Sequence, residues 1–217
     1  MTIATAVEKN FIDKDKMDWL VQSILSCGAP AVDYHEDEGV WKDQGLVARI
    51  HEWDWYADDT APIREYLSSV LEPYLGRFEV DKSHILDAQL PWSVHNDYEI
   101  HCSTRSETPQ AVVIIPIEDA NSNTLVFHQS ATYSTFSRYR QENPPLSKPI
   151  NGTDWNRWLS HCWPKDQFWL TIDQVFPWHC GDLCVFDRQT WHASDSFHKN
   201  DVQSKRAIVL FTGWPHK

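Results

Sequence analysis

Apolar positions along this chain follow two periods. In the first third, Met17, Leu20, Val21 and Ile24 recur at the three- and four-residue spacing of a one-faced helix, and Ile63, Tyr66, Leu67, Val70 and Leu71 repeat it. The second helix has Thr60 at its N-cap and Pro62 in its first turn, where a missing N–H costs nothing. Between them, Gly45–Ile50 predicts a strand. From about residue 83 the period shortens. His84–Leu90, Gln110–Ile117, Thr124–His128, Phe168–Phe176, Asp182–Asp187, Trp191–Phe197 and Lys205–Trp214 are runs of β-branched and aromatic residues divided by polar turns. Strands in this number without intervening helices predict a sandwich or barrel. The expected fold is mainly β, a double-stranded β-helix (jelly roll, cupin-like barrel) over about 83–214, supported by N-terminal helices over about 1–82.

Residues 131–166 break the rhythm, being too long for a hairpin and too rich in Pro, Asn and Ser for a strand. This insertion is either a functional loop or a surface excursion with a short helix near Trp155–Cys162. No Pro/Gly/Ser-rich spacer divides the 217 residues, so one domain is expected over 1–217.

Composition narrows the function. The formal charge is −12, from 19 basic and 31 acidic residues, which argues against a nucleic-acid backbone or an anionic membrane as partner. The first residues lack an apolar core of signal-peptide length, and no run approaches the roughly 18 apolar residues of a membrane span. A soluble, cytoplasmic protein is the expectation. Five scattered cysteines without a Cys-x-x-Cys pair suggest neither a disulfide framework nor a structural zinc site. Twelve tryptophans exceed ordinary usage; most are expected to fill core, and some to line a substrate pocket.

Two His-x-Asp pairs occur, His35-x-Asp37 and His95-x-Asp97, where about one is expected by accident. The first lies in a charged segment that reads as a solvated loop. The second follows an apolar strand ending Gln89-Leu90-Pro91-Trp92, where alternate residues aim their side chains at one point. His192, 192 − 95 = 97 positions on, supplies a third ligand if a late strand returns beside an early one. Two imidazoles and a carboxylate on one octahedral face leave three positions open, which favours Fe(II) over closed structural zinc. The remaining histidines, His84, His161, His179 and His198 among them, read as ordinary core or surface residues.

The segment Gly181-Asp182-Leu183-Cys184-Val185-Phe186-Asp187-Arg188-Gln189-Thr190-Trp191-His192-Ala193-Ser194, with His95-x-Asp97, resembles the Fe(II)/2-oxoglutarate-dependent dioxygenase superfamily, and within it the phytanoyl-CoA and prolyl-hydroxylase-like branches. The resemblance covers roughly residues 83–214. It implies that His95, Asp97 and His192 bind iron, that 2-oxoglutarate and O2 are co-substrates, and that a basic residue on the last strand pairs with the distal carboxylate of 2-oxoglutarate. Arg206, 206 − 192 = 14 positions after His192, is the expected partner; Lys205 is its rival, but alternation is expected to send Lys205 to the opposite face. Thr124 resembles a hydroxyl-bearing position that assists carboxylate binding, although the usual glycine is missing. The implied chemistry is hydroxylation of an unactivated C–H bond with release of succinate and CO2. A carboxylate at Asp97 favours this over halogenation, whereas desaturation, epimerisation and cyclisation use the same ligands.

The implied substrate is a small molecule, an amino acid or a peptide side chain. Residues 131–169, with Tyr133, Phe136, Tyr139, Trp155, Trp158 and Trp163 and the cations Arg138, Arg140 and Arg157, are expected to form a lid over the metal whose cations meet an anionic substrate group. Two rival functions stay open. A cupin-type metalloenzyme without 2-oxoglutarate would share the barrel, and a non-catalytic carbohydrate- or partner-binding sandwich would use the tryptophans as stacking platforms.

Overall fold

The computed structural model describes residues 3–35, 47–97, 109–131 and 148–213. Its strands are β1 (Ala6–Glu8), β2 (Val32–Tyr34), β3 (Ala48–Glu52), β4 (Val80–Ala88), β5 (Ala111–Pro116), β6 (Asn123–Ser130), β7 (Ile172–Pro177), β8 (Leu183–Asp187), β9 (Thr190–Ser194) and β10 (Lys205–Thr212). Its helices are α1 (Lys14–Cys27), α2 (Ala61–Leu75) and α3 (Gly152–Trp158). The strands form a seven-stranded antiparallel sheet, β1-β8-β5-β10-β4-β3-β2, and a three-stranded one, β7-β6-β9.

Strand alternation divides the larger sheet's side chains between two cores. Ile85, Val113, Ile115, Val185, Ile208 and Leu210 face outward and bury the apolar stripes of α1 (Met17, Leu20, Ile24) and α2 (Ile63, Leu67, Leu71). Val112, Ile114, Cys184, Phe186, Ala207 and Val209 face inward, against Val126 and Phe176 of the smaller sheet. The two sheets thus close face to face as a double-stranded β-helix. On the outer side of the smaller sheet, Leu125, Phe127 and Trp191 bury Trp155 and Leu159, at the end of the insertion.

Several expectations shift in position. The larger sheet recruits three strands from before residue 83, with β1 at one edge and β2 with β3 at the other. α1 starts at an Asp13 side chain that accepts from the Lys16 N–H at 2.8 Å. Thr60 stands at the N-cap of α2 but makes no capping bond; its hydroxyl donates to the Asp54 carbonyl at 2.7 Å. The expected strand from Phe168 begins later, at Ile172, because Pro164–Phe168 forms a 3-10 turn. Trp214 and Gly45–Leu46 lie outside the described residues. Among the described residues no helix is long and apolar enough to cross a membrane, and Cys27, Cys162, Cys180 and Cys184 are free thiols.

Candidate metal centre and cavity

His95 and His192 meet through the backbone. The His95 N–H donates to the His192 carbonyl at 2.9 Å and the His192 N–H donates back at 2.8 Å, a two-residue antiparallel bridge that sets the rings 4.2 Å apart. Two residues on, Asp97 turns its carboxylate to the same point, with Oδ2 3.1 Å from His192 Nε2. The ligating atoms of His95, Asp97 and His192 all lie within 4.8 Å of one another, the one such group among the described residues.

The orientation of both rings is settled by their other nitrogens. His95 Nδ1 lies 2.7 Å from the Ser93 carbonyl and His192 Nδ1 lies 3.1 Å from the Thr190 carbonyl. A carbonyl can only accept, so Nδ1 carries the hydrogen in each ring and the Nε2 lone pairs are left to point at Asp97. Burial alone would raise the Asp97 carboxyl, but the positive charge that His192 and His95 carry whenever their rings are protonated, with that of Arg188, outweighs it and holds it down to about 2. Two imidazole lone pairs and a carboxylate converging at this distance repel one another unless a cation lies among them, and with three protein donors in the group an octahedral metal keeps coordination positions for other ligands. The residues therefore fit a catalytic metal better than a closed structural one.

Arg188, in the β8–β9 turn, is 1% exposed and holds this corner. Its Nε donates to the Asp97 carbonyl at 3.0 Å, its own carbonyl accepts the Asp97 N–H at 3.0 Å, and its Nη1 lies 2.9 Å from Asp81 Oδ2 on β4. Its burial and its role here left no mark in the sequence beyond its place in the Asp187–His192 segment.

A cavity of about 280 Å³ extends from this group between the sheets. The smaller sheet gives its direction. His192 pairs with Val126 and, one inward residue further, Ser194 pairs with Thr124. Next to them Lys205 Nζ donates to the Asn123 carbonyl at 3.2 Å. Thr124 is buried and lines the cavity, as does Lys205.

Arg206 does not. It faces out of the barrel, 3.9 Å from Glu118 Oε2, while Lys205, Ala207, Val209 and Phe211 take the inner side of β10. The alternation along β10 is the reverse of the expected one: Ile208 and Leu210, and with them Arg206, belong to the helix-facing side. Lys205 is 2% exposed, 4.1 Å from the Trp178 ring, and burial lowers its ammonium to about 8 against the opposing pull of Asp195. Asp195 is itself occupied by the Ser122 hydroxyl and the Asn123 amide, both at 2.8 Å. One hydrogen bond is little for a buried ammonium with three donors.

Of the other expected groups, His35 is exposed and Asp37 lies outside the described residues. Tyr133, Phe136, Arg138, Tyr139 and Arg140 also lie outside them. Arg157 is exposed and stacks 4.0 Å above Trp158, and α3 covers the outer face of the smaller sheet, so this part of the insertion is not over the cavity. His84, read as ordinary, lines the cavity from β4. His161 is a buried strut: its Nε2–H donates to the Trp92 carbonyl at 3.1 Å and its Nδ1 faces the Ser196 hydroxyl at 2.9 Å.

No protein-family model matches the sequence, and no characterised protein matches it at a significant level. Solved structures do. The non-heme alpha-ketoglutarate-dependent epimerase SnoN from nogalamycin biosynthesis aligns with 98% of this chain and 79% of its own at a TM-score of 0.61 and 10% identity. The carbocyclase SnoK of the same biosynthesis aligns with 97% and 80% at 0.60 and 13% identity. A 2OG-Fe(II) oxygenase family oxidoreductase from Burkholderia pseudomallei aligns with 96% and 84% at 0.55 and 10% identity. At such identities the likeness is one of architecture: this chain has the double-stranded β-helix fold of the 2-oxoglutarate- and iron(II)-dependent oxygenases.

Proposed function

We propose that this protein is an Fe(II)- and 2-oxoglutarate-dependent oxygenase that hydroxylates an unactivated C–H bond of a small molecule, amino acid or peptide side chain. The observation that carries this reading is the convergence of three electron-pair donors, His95 Nε2, His192 Nε2 and the Asp97 carboxylate, at one part of a cavity that holds a buried, under-bonded ammonium further in. His95, Asp97 and His192 would hold the metal. Bound there with 2-oxoglutarate, iron supplies dioxygen activation coupled to decarboxylation of the co-substrate to succinate and CO2.

The protein's own groups supply position and environment. The Ser93 and Thr190 carbonyls fix the two rings, and Asp97 stays ionised across the physiological range. Lys205 takes the distal carboxylate of 2-oxoglutarate as a point charge, with the Thr124 hydroxyl on the same path. Val112, Ile114, Val209 and Phe211 keep the reacting end of the cavity apolar and exclude water.

A carboxylate at Asp97 favours hydroxylation over halogenation, since it fills the position a halide would need. The test is succinate release dependent on both Fe(II) and 2-oxoglutarate over a panel of amino acids, peptides and small acids, with mass analysis of the product. Gain of one oxygen atom supports hydroxylation. A product of unchanged mass, or one lighter by two hydrogens, assigns epimerisation or ring closure and desaturation instead.

A further inference from the structure

The row of inward residues next to the metal ligands carries two hydroxyls. His192 on β9 stands in register with Val126 on β6, and two residues on, Ser194 stands in register with Thr124. Ser194 and Thr124 both line the cavity and are buried from bulk solvent, at 6% and 4% exposed. Neither hydroxyl makes a hydrogen bond to a described residue. Nor is either one of the side-chain atoms sealed in without a partner, which among the described residues are the indole nitrogens of Trp53, Trp92 and Trp178 and Oδ1 of Asp87. The bonding capacity of the two hydroxyls therefore faces the cavity. Lys205 arrives at the same row. The Asn123 carbonyl that accepts its ammonium at 3.2 Å also accepts the Asp195 N–H at 3.0 Å, so Nζ bonds the backbone one residue from both Thr124 and Ser194.

From this arrangement we infer that Ser194 is a co-substrate-binding residue: its hydroxyl and that of Thr124 hold the distal carboxylate of a 2-oxo acid beside Lys205, and the distance of their row from the metal selects a five-carbon chain. The inference rests on the oxygenase reading above and names the residue that tunes its co-substrate site. A strand rises about 3.3 Å per residue, so the Ser194 row lies about 7 Å along β9 from His192, the scale of a five-carbon dicarboxylate whose keto-acid end is on the metal. An ionised carboxylate only accepts hydrogen bonds, and its two oxygens have room for two hydroxyls and an ammonium. Asp195, the carboxylate acting on Lys205, has its oxygens occupied by the Ser122 hydroxyl and the Asn123 amide, both at 2.8 Å. The other charged residues that line the cavity lie away from this row. Asp97 and Arg188 are at the metal corner. Lys82 is in register with Phe211, 211 − 205 = 6 residues along β10 from Lys205, and Glu52 is in register with His84, which pairs with Val209.

The test uses the whole protein loaded with zinc, which binds this ligand set without redox chemistry. Calorimetric titration compares 2-oxoglutarate with 2-oxoadipate, one methylene longer, and with 2-oxovalerate, which has the same keto-acid end and no distal carboxylate. The wild type should bind 2-oxoglutarate about tenfold or more tighter than either. Ser194→Ala should weaken 2-oxoglutarate by about tenfold, the size of one hydrogen bond to a charged group, while leaving 2-oxovalerate and zinc affinity within about twofold of wild type. A loss of 2-oxoglutarate affinity smaller than about threefold overturns the inference. So does an equal loss for 2-oxovalerate or for zinc, which assigns Ser194 to the metal site or to the fold. A wild type that binds 2-oxoadipate as tightly as 2-oxoglutarate overturns the selection of chain length. A wild-type protein that takes up no 2-oxoglutarate with zinc is recognised before any variant is made, and removes the oxygenase reading and this inference together.

Discussion

Arg188 grips Asp97 from both sides of its peptide: it accepts the Asp97 N–H at its carbonyl and donates from Nε to the Asp97 carbonyl, each at 3.0 Å. The same guanidinium is tied to Asp81 at 2.9 Å with both partners at most 3% exposed. Arg188→Lys keeps a cation but removes the planar fork, so it should lower metal affinity by about 10–100-fold, the usual effect of disturbing a group that orients a ligand. Asp81→Asn breaks the buried pair without touching Asp97, and should cost about 3–5 kcal/mol of stability with a smaller effect on the metal. Metal titration and thermal unfolding of the two variants separate the roles.

Lys205 and Arg206 differ by one position and by one face of the sheet. Lys205→Met should weaken 2-oxoglutarate binding by about 10–100-fold, whereas Arg206→Ala, which removes a half-exposed contact with Glu118, should leave it within about twofold. The ammonium is held to about 8, so it is a cation below that pH and loses its charge above it. Co-substrate affinity should therefore be steady towards neutral pH and fall as pH rises past about 8. Lys205→Arg should move that fall to higher pH. Calorimetry across pH checks both.

Acid should unfold the protein by a route that two buried histidines supply. Burial holds His84 and His161 down to about 4 against an ordinary value of 6.5. Their folded-state affinity for protons is lowered, so the stability they contribute is complete above about 6.5 and is lost as pH falls towards 4, where the unfolded chain takes up protons that the folded one refuses. Denaturant midpoints measured between pH 7 and pH 4.5 should decline, and His161→Gln should flatten the slope while lowering stability at pH 7.

Gly181, in the turn two residues before β8, has φ of +80°, and a Cβ there would run into the Ile12 carbonyl, whose residue donates its N–H to the Gly181 carbonyl at 2.9 Å. Gly76 also has a positive φ, +64°, but its Cβ would meet open space. Gly76→Ala should cost about 1 kcal/mol, the backbone term alone, and Gly181→Ala clearly more, because the N-terminal segment must move away from β8. Equal costs by chemical denaturation would contradict the packing described here.

The strands were legible because barrel strands are short, apolar and bounded by polar turns, and Ala111–Pro116 and Leu183–Asp187 fall within one residue of the runs that announce them. The convergence of side chains was legible where alternation acts over two residues, as in His95-x-Asp97. It failed at Arg206 because facing depends on where a strand enters the sheet, and the first residue of β10 is Lys205, whose burial contradicts the ordinary preference of lysine for water. Asp81, Arg188 and His84 escaped for a related reason: Arg188 is 107 and 104 positions from the other two along the chain (188 − 81 and 188 − 84), and only the sheet order β8-β5-β10-β4 brings the turn after β8 to the corner that β4 occupies.

The most direct measurement is anaerobic addition of Fe(II) and 2-oxoglutarate to the purified protein. The account predicts a visible metal-to-ligand charge-transfer band in the wild type that disappears in His95→Ala, Asp97→Ala and His192→Ala and persists in Arg206→Ala. A wild-type protein without the band, or a band that survives loss of Asp97 and His192, would contradict it.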